Sequence, residues 1–577
     1  MGDQRNLLIA IALSVAIMLG FQFFYDQPRQ KAQREAQPAT PQAESLPGVP
    51  PAPPVPGQAA PVGGLPPVAA PAPAQQAVGP RIAIQSARLS GSIDLRGARF
   101  DTVILNDYKD TVGADSPPIR LLLPAGGATP YYAEFGWSAA DPRLKLPDGN
   151  TLWQADRQTL SPGQPVTLNW DNGAGLRFEL QVQLDDNYLF TVTRRVRNAG
   201  DATVTLYSYG RIVRTGTPVT ANFYILHEGP LGVFDGVLDE VDYDDLKSER
   251  RLERRSTGGW IGITDKYWLA ALVPDQKAKL TAGYRYDSPG NVDRYQVDML
   301  REGLAVPADG SAEASDHLFA GAKEVHLLDR YMERYGIAHF DKAVDFGWFY
   351  FLTKPLFLML DYFYKLLGNF GLAILLLTVM VKLVFFPLAN KSYRAMSKMK
   401  ALQPEMMRLR DRHADDRQNM NQALMELYKK EKVNPAAGCL PIVIQIPVFF
   451  ALYKVLFVTI EMRHAPFYGW IRDLSAPDPT TIFNLFGLIQ WTPPEFLLIG
   501  IWPLLMGGSM YLQQLMNPQP ADPVQAKIFL FMPVLFTFML GTFPAGLVIY
   551  WTWNNVLSIA QQWVIMKRMG VPIGVKA

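Results

Sequence analysis

Lys382 is the residue with the most chemistry to explain. It lies in the run ILLLTVMVKLVFFPL (374–388), which otherwise reads as a membrane span. A cation at the centre of such a helix costs about 2.5–3.5 kcal/mol, so something must offset it. The usual partner is an intramembrane carboxylate. The apolar runs 368–389, 440–460, 496–516 and 526–566 contain no Asp or Glu. They do hold neutral polar groups: Thr378 one turn before the lysine on the same helix face, Gln445, Gln513, Gln514, and the set Tyr550, Asn554, Asn555, Ser558 and Gln561. Tyr550, Asn554 and Ser558 or Gln561 share one stripe of a helix. Two readings follow. Lys382 faces a wet cavity lined by these groups and stays available to an anionic ligand. Alternatively it snorkels towards Ala389, about 10 Å away along a continuous helix.

Little else in the chain looks reactive. There is one cysteine, Cys439, so no intramolecular disulfide forms. The six histidines fall in no metal-binding spacing. No phosphate-binding loop, dinucleotide fingerprint or nucleophile elbow is present. The expectation is a protein that is not an enzyme and that carries no metal or cofactor. A net charge of +2 over 577 residues gives no nucleic-acid signature.

The elements that must position Lys382 are unevenly distributed. Residues 6–25 are long enough to span a bilayer and end in Phe21, Phe23, Phe24 and Tyr25, so 1–25 reads as an uncleaved anchor. Residues 26–80 are rich in Pro, Ala and Gln and read as a disordered linker. From 81 to 335 the pattern has period two. In 176–196, Leu176, Phe178, Leu180, Val182 and Leu184 take one face and Arg177, Glu179, Gln181 and Gln183 the other, with a turn at Asp185-Asp186-Asn187. Similar alternation at 82–105, 203–214, 260–273 and 279–300 predicts one large β-sandwich. Residues 340–367 read as an amphipathic interfacial helix broken by Pro355. The runs 368–389, 440–460, 496–516, 526–542 and 546–566 then predict five more spans, six in all.

Charge orients this arrangement. The segment 391–432 carries Arg394, Lys398, Lys400, Arg408 and Arg410 among its basic residues, whereas 461–495 has only Arg463 and Arg472. Basic loops remain cytoplasmic, which places 391–432 and both termini inside and the β domain outside. Met396, Met399, Leu402, Met406 and Leu409 recur at helical spacing, and Leu424, Leu427 and Tyr428 suggest a second helix. The segment therefore reads as a cytoplasmic helical hairpin. It either only sets topology or offers a methionine-rich docking face.

The stretches KMKALQPEMMRLR, LYKKEKVNPAAGCLPIVIQIPVFFALYKVL, DLSAPDP, DPVQAKIFLFMPVLFTFML and FPAGLVIYWTWNNVLSIAQQ resemble the YidC/Oxa/Alb family of membrane insertases, in its Gram-negative form. The resemblance covers about 340–568. It implies an α-helical polytopic membrane protein with six transmembrane helices. Five of these form an insertase core over 368–568, and a short tail follows at 569–577. It also implies a large periplasmic β-sandwich domain of mutarotase-like fold, without a sugar activity carried over. The core would enclose a hydrophilic groove open to cytoplasm and lipid, with Lys382 as its positive charge. Thr378, Gln445 and Tyr550 match other groove positions, Asn554 lies on the same stripe, and Trp551 stands as a second aromatic. Most members have arginine at the charged position, so lysine retains a point charge but not a bidentate fork.

The function implied is insertion and chaperoning of inner-membrane proteins, alone or with the Sec translocon. The implied partners are nascent inner-membrane proteins, the Sec translocon, the ribosome and signal recognition pathway, and the lipid bilayer, with no direct nucleic-acid contact. A rival reading is a small-solute or ion transporter with a periplasmic binding domain. Against it stand the missing intramembrane carboxylate and the lack of an inverted repeat. An envelope enzyme or glycan-binding protein is a third reading, but one anchor would serve it and five further spans would go unexplained.

Overall fold

The computed structural model describes residues 79–220, 226–347, 349–413, 416–431, 433, 440–487, 489, 491, 499–517 and 523–570. The expected anchor 1–25, nearly all of the linker 26–80, Cys439 and most of the tail 569–577 lie outside them.

The period-two segments form two sheets. One has eleven strands and the other nine. The first runs in the order 251–257, 279–287, 294–301, 204–215, 131–139, 99–109, 89–94, 81–85 and 159–160, with 304–306 and 118–122 alongside. The second runs 237–240, 229–234, 260–264, 268–274, 311–322, 189–198, 176–184, 166–171 and 154–155. Phe100 of the first sheet meets Phe190 of the second edge-to-face at 5.4 Å, and Phe234 meets Tyr284 at 6.2 Å. The sheets therefore share one core, as the alternation predicts.

The hairpin at 176–198 illustrates the local logic. Leu176, Phe178, Leu180, Val182 and Leu184 are all buried, and Val182 pairs with Val192 in antiparallel register. Asp185 makes the turn: its carboxylate accepts from the Asn187 and Leu189 N–H groups at 2.9 and 3.0 Å. Burial of each large side chain contributes about 1.5–3 kcal/mol, and this sets the register.

The sandwich core also contains charge. Arg194 and Asp316 form a fully buried ion pair, and Arg301 approaches the same carboxylate at 3.5 Å. Glu134 lies between Arg211 and Arg99, the latter at 3.2 Å. The Arg194 guanidinium also donates to the Tyr209 and Gly136 carbonyls of the facing sheet. Each of these arginines has a carboxylate partner, while the buried Lys323 donates to the Thr264 hydroxyl at 2.8 Å.

The helices, in chain order, are α1 (Tyr243–Glu249), α2 (Val325–Tyr335), α3 (Tyr350–Leu367), α4 (Phe370–Val384), α5 (Phe386–Ala401), α6 (Gln403–Arg412), α7 (Arg417–Lys430), α8 (Leu440–Val458), α9 (Ile501–Met516), α10 (Pro523–Leu540) and α11 (Ala545–Arg568). Among the described residues no single helix is long and apolar enough to cross a membrane alone. The pair α4 and α5 meets the length and composition together but bends by 71°. Gln445–Val458 and Lys527–Leu540 are shorter apolar helices.

Three readings of the sequence need correction. Pro355 does not break the interfacial helix, because it lies inside α3. It comes soon after the helix start, so the loss is a single i→i−4 bond close to the turn whose N–H groups are unpaired in any helix. The run 368–389 is not one straight helix. It breaks at Phe385, since Pro387 lacks the N–H that would continue the α4 ladder and is instead suited to the first turn of α5. The basic hairpin consequently does not begin at 391. Its first residues belong to α5, and the hairpin proper is α6 and α7, with Pro404 in the first turn of α6.

Ion pairs and hydrogen bonds join α2 and the segment after it to α3 and α8. Lys354 of α3 contacts Asp329 of α2 at 2.8 Å and Asp341 at 3.0 Å. Asp361 of α3 receives His326 of α2 at 2.8 Å and Lys365 at 2.7 Å. Lys454 of α8 meets Asp345 at 2.7 Å. The Val325 N–H, at the start of α2, donates to Glu461 Oε1 at 3.0 Å, where no side chain of α2 supplies a cap.

Candidate functional site: a polar seam around Lys382 linking α4, α8 and α11

Lys382 lies in the last turn of α4. The α4–α5 bend removes the straight helical path to Ala389. The side chain instead reaches across to α11, where the ammonium donates to Ser558 Oγ at 2.6 Å. The Ser558 hydroxyl proton goes to the Asn554 carbonyl one turn earlier, at 2.8 Å. This leaves an oxygen lone pair for the lysine. Asn554 Oδ1 in turn accepts from Gln445 Nε2 of α8 at 2.8 Å. Lys382, Asn554 and Gln445 thus belong to one polar seam linking three helices. Among the described residues Lys382 makes no ion pair.

An aromatic wall flanks the seam. Trp551 of α11 stacks on Phe449 of α8 with centroids 4.8 Å apart and planes 16° from parallel. Tyr550 is buried. Thr378 is also buried, and its hydroxyl donates to the Ile374 carbonyl of its own helix at 2.7 Å. Thr378 therefore lines α4 without offering a free donor.

The adjacent face of α11 has a different role. Asn555 donates to Ser509 Oγ of α9 at 3.0 Å. Gln562 donates to the Met516 carbonyl at 3.2 Å and to Asn517 Oδ1 at 3.1 Å, and Lys400 donates to the Leu515 carbonyl at 2.7 Å. The last carbonyls of a helix lack intrahelical partners, and these side chains supply them for α9. Lys400 thus turns inward, unlike the other basic residues expected at a docking face. Arg394, Lys398 and Arg408 are exposed, while Arg410 is half-buried and 3.4 Å from Asp411. On the hairpin itself Met406 is buried against Tyr428, whose hydroxyl approaches the sulfur at 3.7 Å, and Met407 and Met425 are exposed.

A serine beside a lysine invites comparison with Ser–Lys hydrolases. The geometry here opposes it. The Ser558 proton is directed at a backbone carbonyl, not at the amine. Ser558 is also in the interior of α11, where neighbouring N–H groups are committed to the helix and form no oxyanion hole. The site is suited to binding negative charge without bond chemistry.

Charge at the outer end of α8 is arranged differently. Burial pushes the Glu461 carboxyl up to about 7, against the hydrogen bonds from backbone N–H groups and with added repulsion from Glu324 and Asp361. Burial also acts to raise Asp361, but hydrogen bonds from Lys365 and His326 outweigh it and hold this carboxyl below its ordinary value.

Ser558 and the α9 caps were only partly visible in the sequence. Ser558 shares the Asn554 stripe, a signal that was present. The inward turn of Lys400 depends on the α5 direction and left no mark in the local pattern.

Residues 81–359 match the family model of the YidC periplasmic domain, and 362–571 match that of the 60Kd inner membrane protein. The membrane protein insertase YidC of Methylobacterium radiotolerans is 51% identical, with 99% of this chain and 96% of that protein covered. The protein of the same name from Granulibacter bethesdensis is 50% identical, with 99% of both covered. A solved structure of an active YidC insertase with its first transmembrane domain resolved is similar over 84% of this chain and 94% of that one, at 17% identity and a TM-score of 0.36. By the two family models and these near full-length relatives, the chain belongs to the YidC family.

Proposed function

We propose that this protein inserts inner-membrane proteins and assists their folding, with Lys382 as the attracting charge. The carrying observation is the polar seam: a lysine of α4 without an ion pair among the described residues, held by a neutral hydroxyl of α11. A polar, acidic segment of a nascent protein enters the groove and is drawn by the ammonium. Its apolar helix then moves along the lipid-facing side into the bilayer. The groove lowers the cost of carrying polar backbone through hydrocarbon, and burial of the span in lipid drives the process.

Six spans, with both termini cytoplasmic and the sandwich periplasmic, accompany this reading. The charge bias of 391–432 supports that orientation. The α3 helix lies at the outer interface, where exposed Phe351, Leu358, Tyr362 and Leu366 meet lipid. The α6–α7 hairpin, with Arg394, Lys398, Arg408 and Arg410 around it, meets the incoming chain and its delivery machinery. The ribosome, the signal recognition pathway and the Sec translocon are the proposed partners there.

The test is complementation of a strain depleted of its own insertase. Lys382→Arg supports growth and insertion, whereas Lys382→Glu fails for substrates with acidic extracytoplasmic segments. Full rescue by Lys382→Glu would sink the electrostatic role.

A further inference from the structure

We propose that Ser558 is a positioning residue that holds the Lys382 ammonium in the groove, and that it thereby sets the preference for acidic segments. This rests on the insertase reading, but its geometric part stands apart from it.

The argument is one of donors and acceptors. A serine hydroxyl has one proton and two lone pairs, and an ammonium has three donors and no acceptor. The Ser558 proton is held by the Asn554 carbonyl at 2.8 Å, which fixes the hydroxyl rotor. The oxygen can then only accept, and it accepts from Lys382 at 2.6 Å. The Tyr393 side chain, buried on α5 just past the bend, lies beside the same hydroxyl. The lysine is therefore anchored to α11 by a neutral group. A carboxylate at 558 would cancel the field that the groove presents. An apolar residue would release a four-carbon stem at the end of α4 with exposed Leu383 and Val384 beside it, free to carry the charge out of the groove. Serine meets both requirements. The other two N–H donors of Lys382 have no protein partner among the described residues, so they are available to one carboxylate of a passing chain.

Lysine needs this more than arginine would. A guanidinium has five donors in a rigid fork and can be held from several sides, while an ammonium on a flexible stem depends on each single contact.

The experiment uses the full-length protein and two readouts. In the depleted strain, insertion is measured for a substrate with an acidic extracytoplasmic segment and for the same substrate with that segment neutralised. In proteoliposomes, labelling of Lys382 by an amine-reactive probe is quantified by peptide mass spectrometry. Ser558→Ala is expected to lower insertion of the acidic substrate several-fold, to leave the neutral one unchanged, and to raise Lys382 labelling several-fold. Ser558→Thr, which keeps the hydroxyl, restores both. In a Lys382→Met background Ser558→Ala has no added effect on insertion.

Equal losses on both substrates, additivity with Lys382→Met, or no rescue by threonine would overturn the positioning role. If the wild-type protein inserted neither substrate, the insertase reading would fall. A labelling change in Ser558→Ala reversed by threonine would still uphold the anchoring geometry, and unchanged labelling would overturn it.

Discussion

The buried arginines of the sandwich and the half-buried Lys382 of the helical region are partnered in opposite ways. In the sandwich, Arg194 is closed off with Asp316, and Arg99 and Arg211 flank Glu134. In the helical region Lys382 has a hydroxyl as its partner, and among the described residues no carboxylate is paired with it. The sandwich arrangement neutralises charge locally, so the field ends inside the domain and the group serves packing and specificity. Lys382 is hydrogen-bonded to a neutral hydroxyl, and under the proposed reading its field is left for a segment that arrives. A hydroxyl partner by itself does not mark a recognition site, since Lys323 of the sandwich is fully buried on the Thr264 hydroxyl at 2.8 Å, whereas Lys382 is only half-buried.

The comparison breaks most severely at Asp316. Asp316→Ala leaves Arg194 buried without its counter-charge and is expected to destabilise the sandwich by about 3–5 kcal/mol. Chemical denaturation of the solubilised protein, followed by the fluorescence of buried Trp137 and Trp260, reads this loss. An unchanged midpoint would mean the pair carries little.

Ser558→Asp moves the groove towards the sandwich type. It gives Lys382 a carboxylate and is expected to lower insertion of acidic-segment substrates at least tenfold, or about 1.4 kcal/mol, while the fold is retained. Normal insertion by this variant would show that a free field is not what the groove supplies.

Glu461 sharpens the comparison from the other side, as a carboxylate whose buried Oε2 has no hydrogen-bond partner among the described residues. Its carboxyl is raised to about 7 in the folded protein, above the 4.5 of the free group. The neutral form is therefore favoured by folding. Its contribution is full below about 4.5 and is lost as pH rises through about 7. Hydrogen exchange at the start of α2 should accordingly be slower at pH 5.5 than at pH 8 after correction for intrinsic rates. Glu461→Gln should flatten that dependence.

The smallest effect is expected at Lys365. Its side chain is mostly exposed and it pairs with Asp361 one turn earlier on α3. Lys365→Ala should cost about 0.2–0.5 kcal/mol, close to the limit of a thermal melt. A loss of several kcal/mol would mean that Lys365 holds the domain junction.

The legibility of the sequence followed the range of the interactions involved. Strand alternation at 176–184 and the Asp185 turn are local, because side-chain period and Asx chemistry act over a few residues. The candidate groove residues Lys382, Gln445 and Asn554 could be picked out by their polarity in apolar runs, because a polar group there is costly whatever surrounds it. The Pro355 misreading came from using residue type without helix position. The roles of Lys400 and Thr378 depended on where neighbouring carbonyls lie, and residue type carries no such information.

The sequence alone determined that Lys382 is a cation in apolar surroundings with no acidic residue in the spans to meet it, that a β-sandwich precedes it, and that basic charge gathers in 391–432. Composition and period suffice for these, since they follow from the solvation cost of each residue type. Only the tertiary structure decided that α4 and α5 part at 71° and that Lys382 therefore turns to Ser558. It likewise decided that Lys400 closes the end of α9. Residues 176 positions apart meet through the packing of whole helices, and the direction of each helix is set by its neighbours.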